Sequence, residues 1–167
     1  MKSFTYLLLS IFLMLQFSSC KVSKKKKQKY ITGFYQELKD SFPNAEVSLL
    51  KDSIKVIFPD NVMFDVGSVV WKDAFFEKLI RFSKLLNKYD KTNLLITGHT
   101  DNTGEGDINE KLSKSRAENV KLKMIEYNVA KERLFVWGLG SRRPRESNDT
   151  EEGRQLNRRT EFEILGN

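Results

Sequence analysis

Residues Gly98–Ala117 read GHTDNTGEGDINEKLSKSRA, and the rest of the chain is organised around them. A short apolar run, Leu94-Leu95-Ile96, feeds into it, and a helical pattern leaves it. Between the two lies a polar turn with Gly98, Gly104 and Gly106 as its flexible points. Asp107 and Glu110 stand three apart, the spacing of a capping box with Asp in place of Ser or Thr. That predicts a helix running to about Tyr127, burying Leu112, Val120, Met124 and Ile125. A strand that delivers such a turn and a helix that leaves it are parts of a sheet covered by helices.

On this helix Asn109, Ser113 and Arg116 follow i, i+4, i+7 spacing and share a face, which begins beside the turn carrying Asp101. A carboxylate and a guanidinium across a shallow pocket suit the amino-acid end of a small zwitterion. The carboxylate takes the ammonium, and the guanidinium grips the carboxylate through paired hydrogen bonds. Backbone N–H groups at the helix start add anion-binding capacity. The same two residues also fit an internal ion pair tying the turn to the helix, and spacing alone leaves both readings open.

Upstream, Phe75, Phe76, Leu79, Ile80, Phe82, Leu85 and Leu86 recur at three- and four-residue steps between charged positions, an amphipathic helix from about Lys72 to Lys88. Ser68 is a candidate cap for its entry. Val47–Leu50 and Ile54–Phe58 flank the polar Lys51-Asp52-Ser53 and read as a hairpin. Ile31 to Phe42 reads as a short amphipathic helix ended by Pro43. Downstream, Leu134–Trp137 is a strand, Gly138 to Arg145 a loop, Asp149 to Asn157 a short helical turn and Thr160 to Leu165 a final alternating strand.

The chain opens with Lys2 and then runs from Phe4 to Phe17 without charge, ending in Phe17-Ser-Ser-Cys20. A cation, about a dozen apolar residues and small residues before a cut site are the marks of a signal peptide. The run is shorter than the ~20 residues of a membrane-spanning helix. It resembles a bacterial lipoprotein signal, with Phe17 where Leu is usual, and that resemblance makes Cys20 the lipidated residue. As the chain's single cysteine, Cys20 has no intrachain disulfide partner.

The formal charge of +7 falls mostly on the first segment: seven of the 29 basic residues precede Tyr30, leaving 22 against 22 acidic ones. The folded part is neutral, and the excess belongs to a short disordered tether, either a solvated spacer or one lying against anionic headgroups. The organisation expected is a signal over 1–19, the lipidated Cys20 and lysine-rich tether over 20–30, an extension over 31–53 and the main domain over 54–167.

Several motifs in order carry a resemblance. Gly98-His-Thr-Asp-Asn-Thr-Gly104 is followed by Asn109-x-x-Leu112-Ser113-x-x-Arg116-Ala117-x-x-Val120. Further on come Gly138-x-Gly140 with Pro144, then Asn148-Asp-Thr-Glu-Glu-Gly153-Arg154-x-x-Asn157-Arg158-Arg159-Thr160-Glu161. Val62-Met-Phe64-Asp65 with Gly67-Ser68 makes an entry motif. From about Ile54 to Leu165 the chain resembles the OmpA-like peptidoglycan-binding family. The resemblance implies an α+β fold (an α/β sandwich), a mixed β-sheet with helices packed on one face in βαβαββ-type order.

It also implies a non-enzymatic role: binding the meso-diaminopimelate of the peptidoglycan stem peptide, with Asp101 and Arg116 as binding residues. Supporting roles fall on Phe64, Asp65, Thr100, Asn102, Asn109 and Arg158. Together with the lipoprotein signal it implies an outer-membrane location, lipid-anchored, with the domain facing the periplasm. The competing reading is a protein-interaction subunit of an envelope complex. The sequence departs from the family in having Arg142, Arg143 and Arg145 after the second glycine, and Leu139 where an aromatic is usual.

Other chemistries find no support. His99 is the single histidine, so no histidine cluster for a metal exists, and it reads as a structural residue of the turn. No nucleophile elbow or general acid/base pair is visible, and no cofactor motif. The oxygen-rich Asp101–Asp107 run lacks the spacing of a calcium loop. Neither a basic patch on the fold nor aromatic platforms for nucleic acid are present.

Overall fold

The computed structural model describes residues 25–64 and 68–166. The signal-like run, Cys20, Asp65 and Gly67 lie outside the described residues. The chain passes through helix α1 (residues 25–41), strands β1 (Glu46–Leu49) and β2 (Ser53–Pro59), and the single-turn α2 (Asp60–Met63). Helix α3 (Asp73–Lys88), β3 (Thr92–His99), α4 (Gly106–Glu126) and β4 (Leu134–Gly140) follow, then α5 (Glu151–Asn157) and β5 (Arg159–Gly166). The five strands form one mixed sheet in the order β1-β2-β5-β3-β4. Only β3 and β4 are parallel, because α4 carries the chain back between them.

Alternation along the strands sorts the two faces. Ile54, Val56, Phe58, Leu94, Ile96, Phe162 and Ile164 point into one core, which Phe75, Leu79 and Phe82 of α3 and Ala117, Val120 and Met124 of α4 complete. The implied α+β architecture, helices on one face of a mixed sheet, is the architecture observed. The predicted hairpin is β1 and β2, in register from Glu46↔Ile57 to Leu49↔Ile54.

Three local expectations are corrected. The lysine run is not wholly a disordered tether: residues 25–30 are the first turns of α1, which the sequence placed from Ile31. Lysine forms helix readily, and the apolar positions Ile31, Phe34 and Leu38 dock the segment onto the core, so helix propagates back from them. The 31–53 extension thus shares the sheet and core of the main domain. Ser68 caps no helix; α3 starts after Lys72, and the Ser68 hydroxyl accepts from the Val70 N–H at 2.9 Å. The Asp107–Glu110 capping box is also not formed. Helix α4 starts at Gly106 after Glu105 with no side-chain cap, so Asp107 already lies in the first turn, where its charge faces the helix dipole favourably.

Helix α4 packs on β3 and β4 at backbone contact. A Cβ on Gly98 would stand 2.1 Å from the Ser113 carbonyl oxygen, and one on Gly138 2.5 Å from the Lys114 backbone nitrogen. These two glycines let the helix settle directly on the strand ends that carry the site.

Candidate functional site

The site lies where β3 ends and α4 begins. Thr100 continues the strand geometry, its N–H donating to the Gly140 carbonyl at 3.0 Å and its hydroxyl to the Asp101 carbonyl at 2.8 Å. Asp101 then bends the chain as an Asx turn: its Oδ1 accepts from the Thr103 backbone N–H at 2.9 Å and from the Thr103 hydroxyl. Its Oδ2 accepts from Arg158 Nη1 at 2.6 Å. Burial acts to raise the Asp101 carboxyl, but the bonds from Thr103 and Arg158 outweigh it and hold the group below its ordinary value. Asn109 Nδ2 donates to the Thr103 carbonyl at 2.9 Å, pinning the turn to the first turn of α4.

Arg116, two helical turns on, is only 3% exposed. Its Nη1 meets Asp60 Oδ2 at 2.5 Å, its Nε donates to the Ser68 carbonyl at 2.9 Å, and its guanidinium lies 5.2 Å over the Phe64 ring. Asp60 is fixed in turn by its backbone N–H, which donates to the Arg158 carbonyl at 2.9 Å. Its Oδ1 is buried without a hydrogen-bond partner. Burial pushes the Asp60 carboxyl up to about 6, against the opposing pull of Arg116 and Arg158, and burial likewise lowers Arg116.

A raised carboxyl favours the folded state when protonated. Its stabilising effect is therefore present below the ordinary 3.8 and is lost as pH rises through about 6, a swing of about 3 kcal/mol. Asp60→Asn is accordingly expected to gain stability relative to the parent as pH rises from 4 to 7, which paired urea titrations at the two pH values would show.

Asp101 and Arg116 face a cavity of about 390 Å³, with Thr100, Thr103, Asn109, Leu112, Glu151 and Arg158 as the other walls. Two guanidinium groups and two carboxylates thus bound one small space, an arrangement that complements a zwitterion. The internal Asp101–Arg116 pair left open by the spacing is not formed: each residue bonds a different partner, and both keep an edge on the cavity. Of the predicted residues, Thr100, Asp101, Asn109, Arg116 and Arg158 line the cavity, and Phe64 lies beneath Arg116. Asn102 does not line it; its side chain is exposed, and its backbone N–H reaches Asn148 Oδ1 at 3.3 Å. Asp65 lies outside the described residues.

Sequence reasoning missed three participants. Asp60 carried no signal, because a Pro-Asp pair at a strand end reads as a turn. Thr103 was hidden in the turn. Glu151 is held by Arg158 at 2.6 Å and Arg154 at 2.8 Å, and its place two residues past Asp149 in a short helix gave no hint of the cavity.

The arginines after the second glycine are mostly engaged: Arg142 pairs with Glu110 and Arg145 with Glu46, both at 2.7 Å. Asn157 fastens this loop, accepting from the N–H groups of Arg145 and Glu146 and donating to the Glu146 carbonyl and to Asn148 Oδ1. His99 is buried at the end of β3, neither ring nitrogen has a hydrogen-bond partner, and burial holds it near 4, so it is neutral at pH 7.

The model of the OmpA family matches residues 63–158. The probable lipoprotein YiaD of Escherichia coli (strain K12) is 35% identical over 139 residues, covering 79% of this chain and 64% of its own length. The chain thus spans less than two thirds of that relative. The structure of the cell wall anchor of the T6SS from Pseudomonas aeruginosa superposes with a TM-score of 0.69 at 27% identity, over 82% of this chain and 97% of that one. A putative MotB like protein from Desulfovibrio vulgaris superposes with a TM-score of 0.77 at 23% identity, over 86% and 98%, a likeness of fold. The chain belongs to the OmpA family, the family of OmpA-like peptidoglycan-binding domains.

Proposed function

We propose that this protein binds peptidoglycan without catalysis, through the meso-diaminopimelate of the stem peptide, and so tethers the outer membrane to the cell wall. The observation that carries the reading is the cavity bounded by Asp101 and Arg116, with its paired positive and negative walls. The free ammonium of diaminopimelate goes to Asp101, and the adjacent carboxylate to the cavity-facing edge of Arg116. Arg158 bonds Asp101, so the ligand's ammonium joins or displaces it. No water activation or bond breaking is needed in this reading. Likeness to a cell wall anchor supports the tethering role.

The test is co-sedimentation with purified diaminopimelate-type sacculi, using residues 25–167 so that the described part of α1 is kept. Binding by the parent and its loss in Asp101→Ala is the expected result. A well-folded parent that stays in the supernatant would favour the alternative, an interaction subunit of an envelope complex.

The anchor in this reading is a lipid on Cys20. Among the described residues no helix is long and apolar enough to cross a membrane. Cys20→Ser is expected to move the protein from the membrane to the soluble fraction, and unchanged fractionation and lipid labelling would remove the anchor from the proposal.

A further inference from the structure

The two ends of the sheet differ in character. One carries the cavity. At the other lies the lysine-rich part of α1, docked on the fold: the Tyr30 hydroxyl accepts from the Lys91 N–H at 3.2 Å, and a Cβ on Gly166 would stand 3.0 Å from Lys27 Cε. Gly166 pairs with Thr92, the first residue of β3, whereas the cavity follows the last. Eight residues of strand at about 3.3 Å each place the two ends roughly 25 Å apart.

The far end is basic and partly apolar. Lys25, Lys26, Lys27 and Lys29 are all exposed on α1, and Lys51, Lys91 and Lys131 are exposed on the neighbouring turns. The exposed acids there are Asp52, Asp90, Glu126 and Glu132, and Glu126 is held by Lys123 at 2.7 Å. Among these lysines stand aliphatic side chains open to solvent, Leu49 at 36%, Leu50 at 43% and Leu165 at 39%. They belong to one edge, since Leu165 pairs with Ser53 and the Leu50 N–H donates to the Ser53 carbonyl at 2.8 Å. Lysines around exposed aliphatics are the chemistry of an anionic bilayer surface, where ammonium groups meet headgroup phosphates and the aliphatics enter the acyl boundary.

We propose that this end of the domain docks on an anionic bilayer and holds the cavity facing away from it. The occupant is fixed by covalent reach as well as charge. Four residues lie between Cys20 and Lys25, five peptide steps or at most about 18 Å of extended chain, so a lipid on Cys20 keeps this end beside the membrane. That proximity argument rests on the lipid-anchor reading above. The lysine run is then part of a rigid footing for the domain rather than a spacer.

The test uses the protein as purified from membranes, with its lipid state read by mass spectrometry. An environment-sensitive fluorophore is attached through Lys51→Cys at the proposed footing or through Gln155→Cys on α5 at the other end. Each is reconstituted into phosphatidylethanolamine vesicles, with or without phosphatidylglycerol, that carry a lipid-borne quencher. The expected result is quenching at Lys51→Cys in the anionic vesicles, none at Gln155→Cys, and loss of the difference at about 0.5 M salt. Glutamine at Lys25, Lys26, Lys27 and Lys29, exposed positions whose change leaves the core intact, is expected to abolish it as well.

Lipidated protein that shows equal quenching at both sites, or quenching indifferent to phosphatidylglycerol, would overturn the proposal. If the protein carries no lipid, the anchor reading fails by itself, and flotation of the same protein decides. Flotation with anionic but not neutral vesicles sustains the footing, and none with either overturns it.

Discussion

Arg116→Ala is expected to abolish co-sedimentation with sacculi and to lower the stability of the domain by about 2–4 kcal/mol at pH 7. The loss of binding follows from the cavity, since its other guanidinium, Arg158, is already paired with Asp101 and Glu151. The loss of stability follows from what lies behind it. Asp60 is 6% exposed, one of its oxygens already lacks a partner, and Arg116 is the nearest compensating charge. Removing the cation also empties the space over Phe64 and leaves the Ser68 carbonyl without its donor. The penalty is bounded because Asp60, already raised to about 6, can take a proton instead of remaining charged. Its cost should therefore shrink at pH 5. Adding Asp60→Asn to Arg116→Ala should restore much of the stability and none of the binding. Urea unfolding at pH 5 and pH 7 beside one sedimentation assay checks all of this, and recovery of binding in the double variant would dissociate Arg116 from the ligand.

Gly98→Ala is expected to cost about 3 kcal/mol or more, from a single added methyl group. Its Cβ would sit 2.1 Å from the Ser113 oxygen and 2.8 Å from the Ser113 carbonyl carbon, both backbone atoms in the middle of a long helix. No rotamer change relieves that contact, so α4 must lift from the sheet. Ser113 would draw away from the Gly140 N–H, which its hydroxyl now accepts at 2.9 Å, and Arg116, one turn further along, would leave Asp60. Wall binding should fall with stability. Gly106→Ala is the control: it lies at the start of the same helix with nothing within 4 Å of the added Cβ, and a gain of about 0.5–1 kcal/mol is expected. Thermal unfolding of the two variants side by side tests the argument, and a Gly98→Ala protein as stable as its parent would refute the backbone-contact account.

How much of this was legible in the sequence depends on which periodicity a residue obeys. Helix α3 was plain because its aromatic and aliphatic residues repeat on one stripe against a charged background. Helix α4 was harder: its first half buries the polar Asn109, Ser113 and Arg116 and only its second half the apolar Val120 and Met124, so no single stripe marks the buried face. Its polar spacing, rather than its hydropathy, pointed to the cavity. The pairing within the site was not legible. Asp101 and Arg116 sit close enough in sequence to suggest a pair, yet each is taken by a residue brought in by the sheet. Arg158 lies 57 positions beyond Asp101, and Asp60 arrives on the antiparallel partner of β5. Such contacts depend on strand order, which one sequence does not reveal. The start of α1 was misjudged for a related reason. A lysine run reads as solvated chain, and only the docking of Ile31, Phe34 and Leu38 shows why it is helical.

The direction of α1 also bears on how the protein would carry a load. If the wall pulls at the cavity and the bilayer pulls at the start of α1, the tension runs nearly along the axis of that helix. It would tend to slide the helix lengthwise over the sheet rather than peel it off turn by turn. Sliding must break the Phe34–Tyr89 stack at 4.2 Å, the packing of Phe42 against Phe58 and Phe82, and the Glu37–Lys88 pair at 2.6 Å together. Contacts stressed in parallel share the force, whereas contacts stressed in series fail one after another. What limits such a tether is the height of its unfolding barrier under tension, not its equilibrium stability at rest.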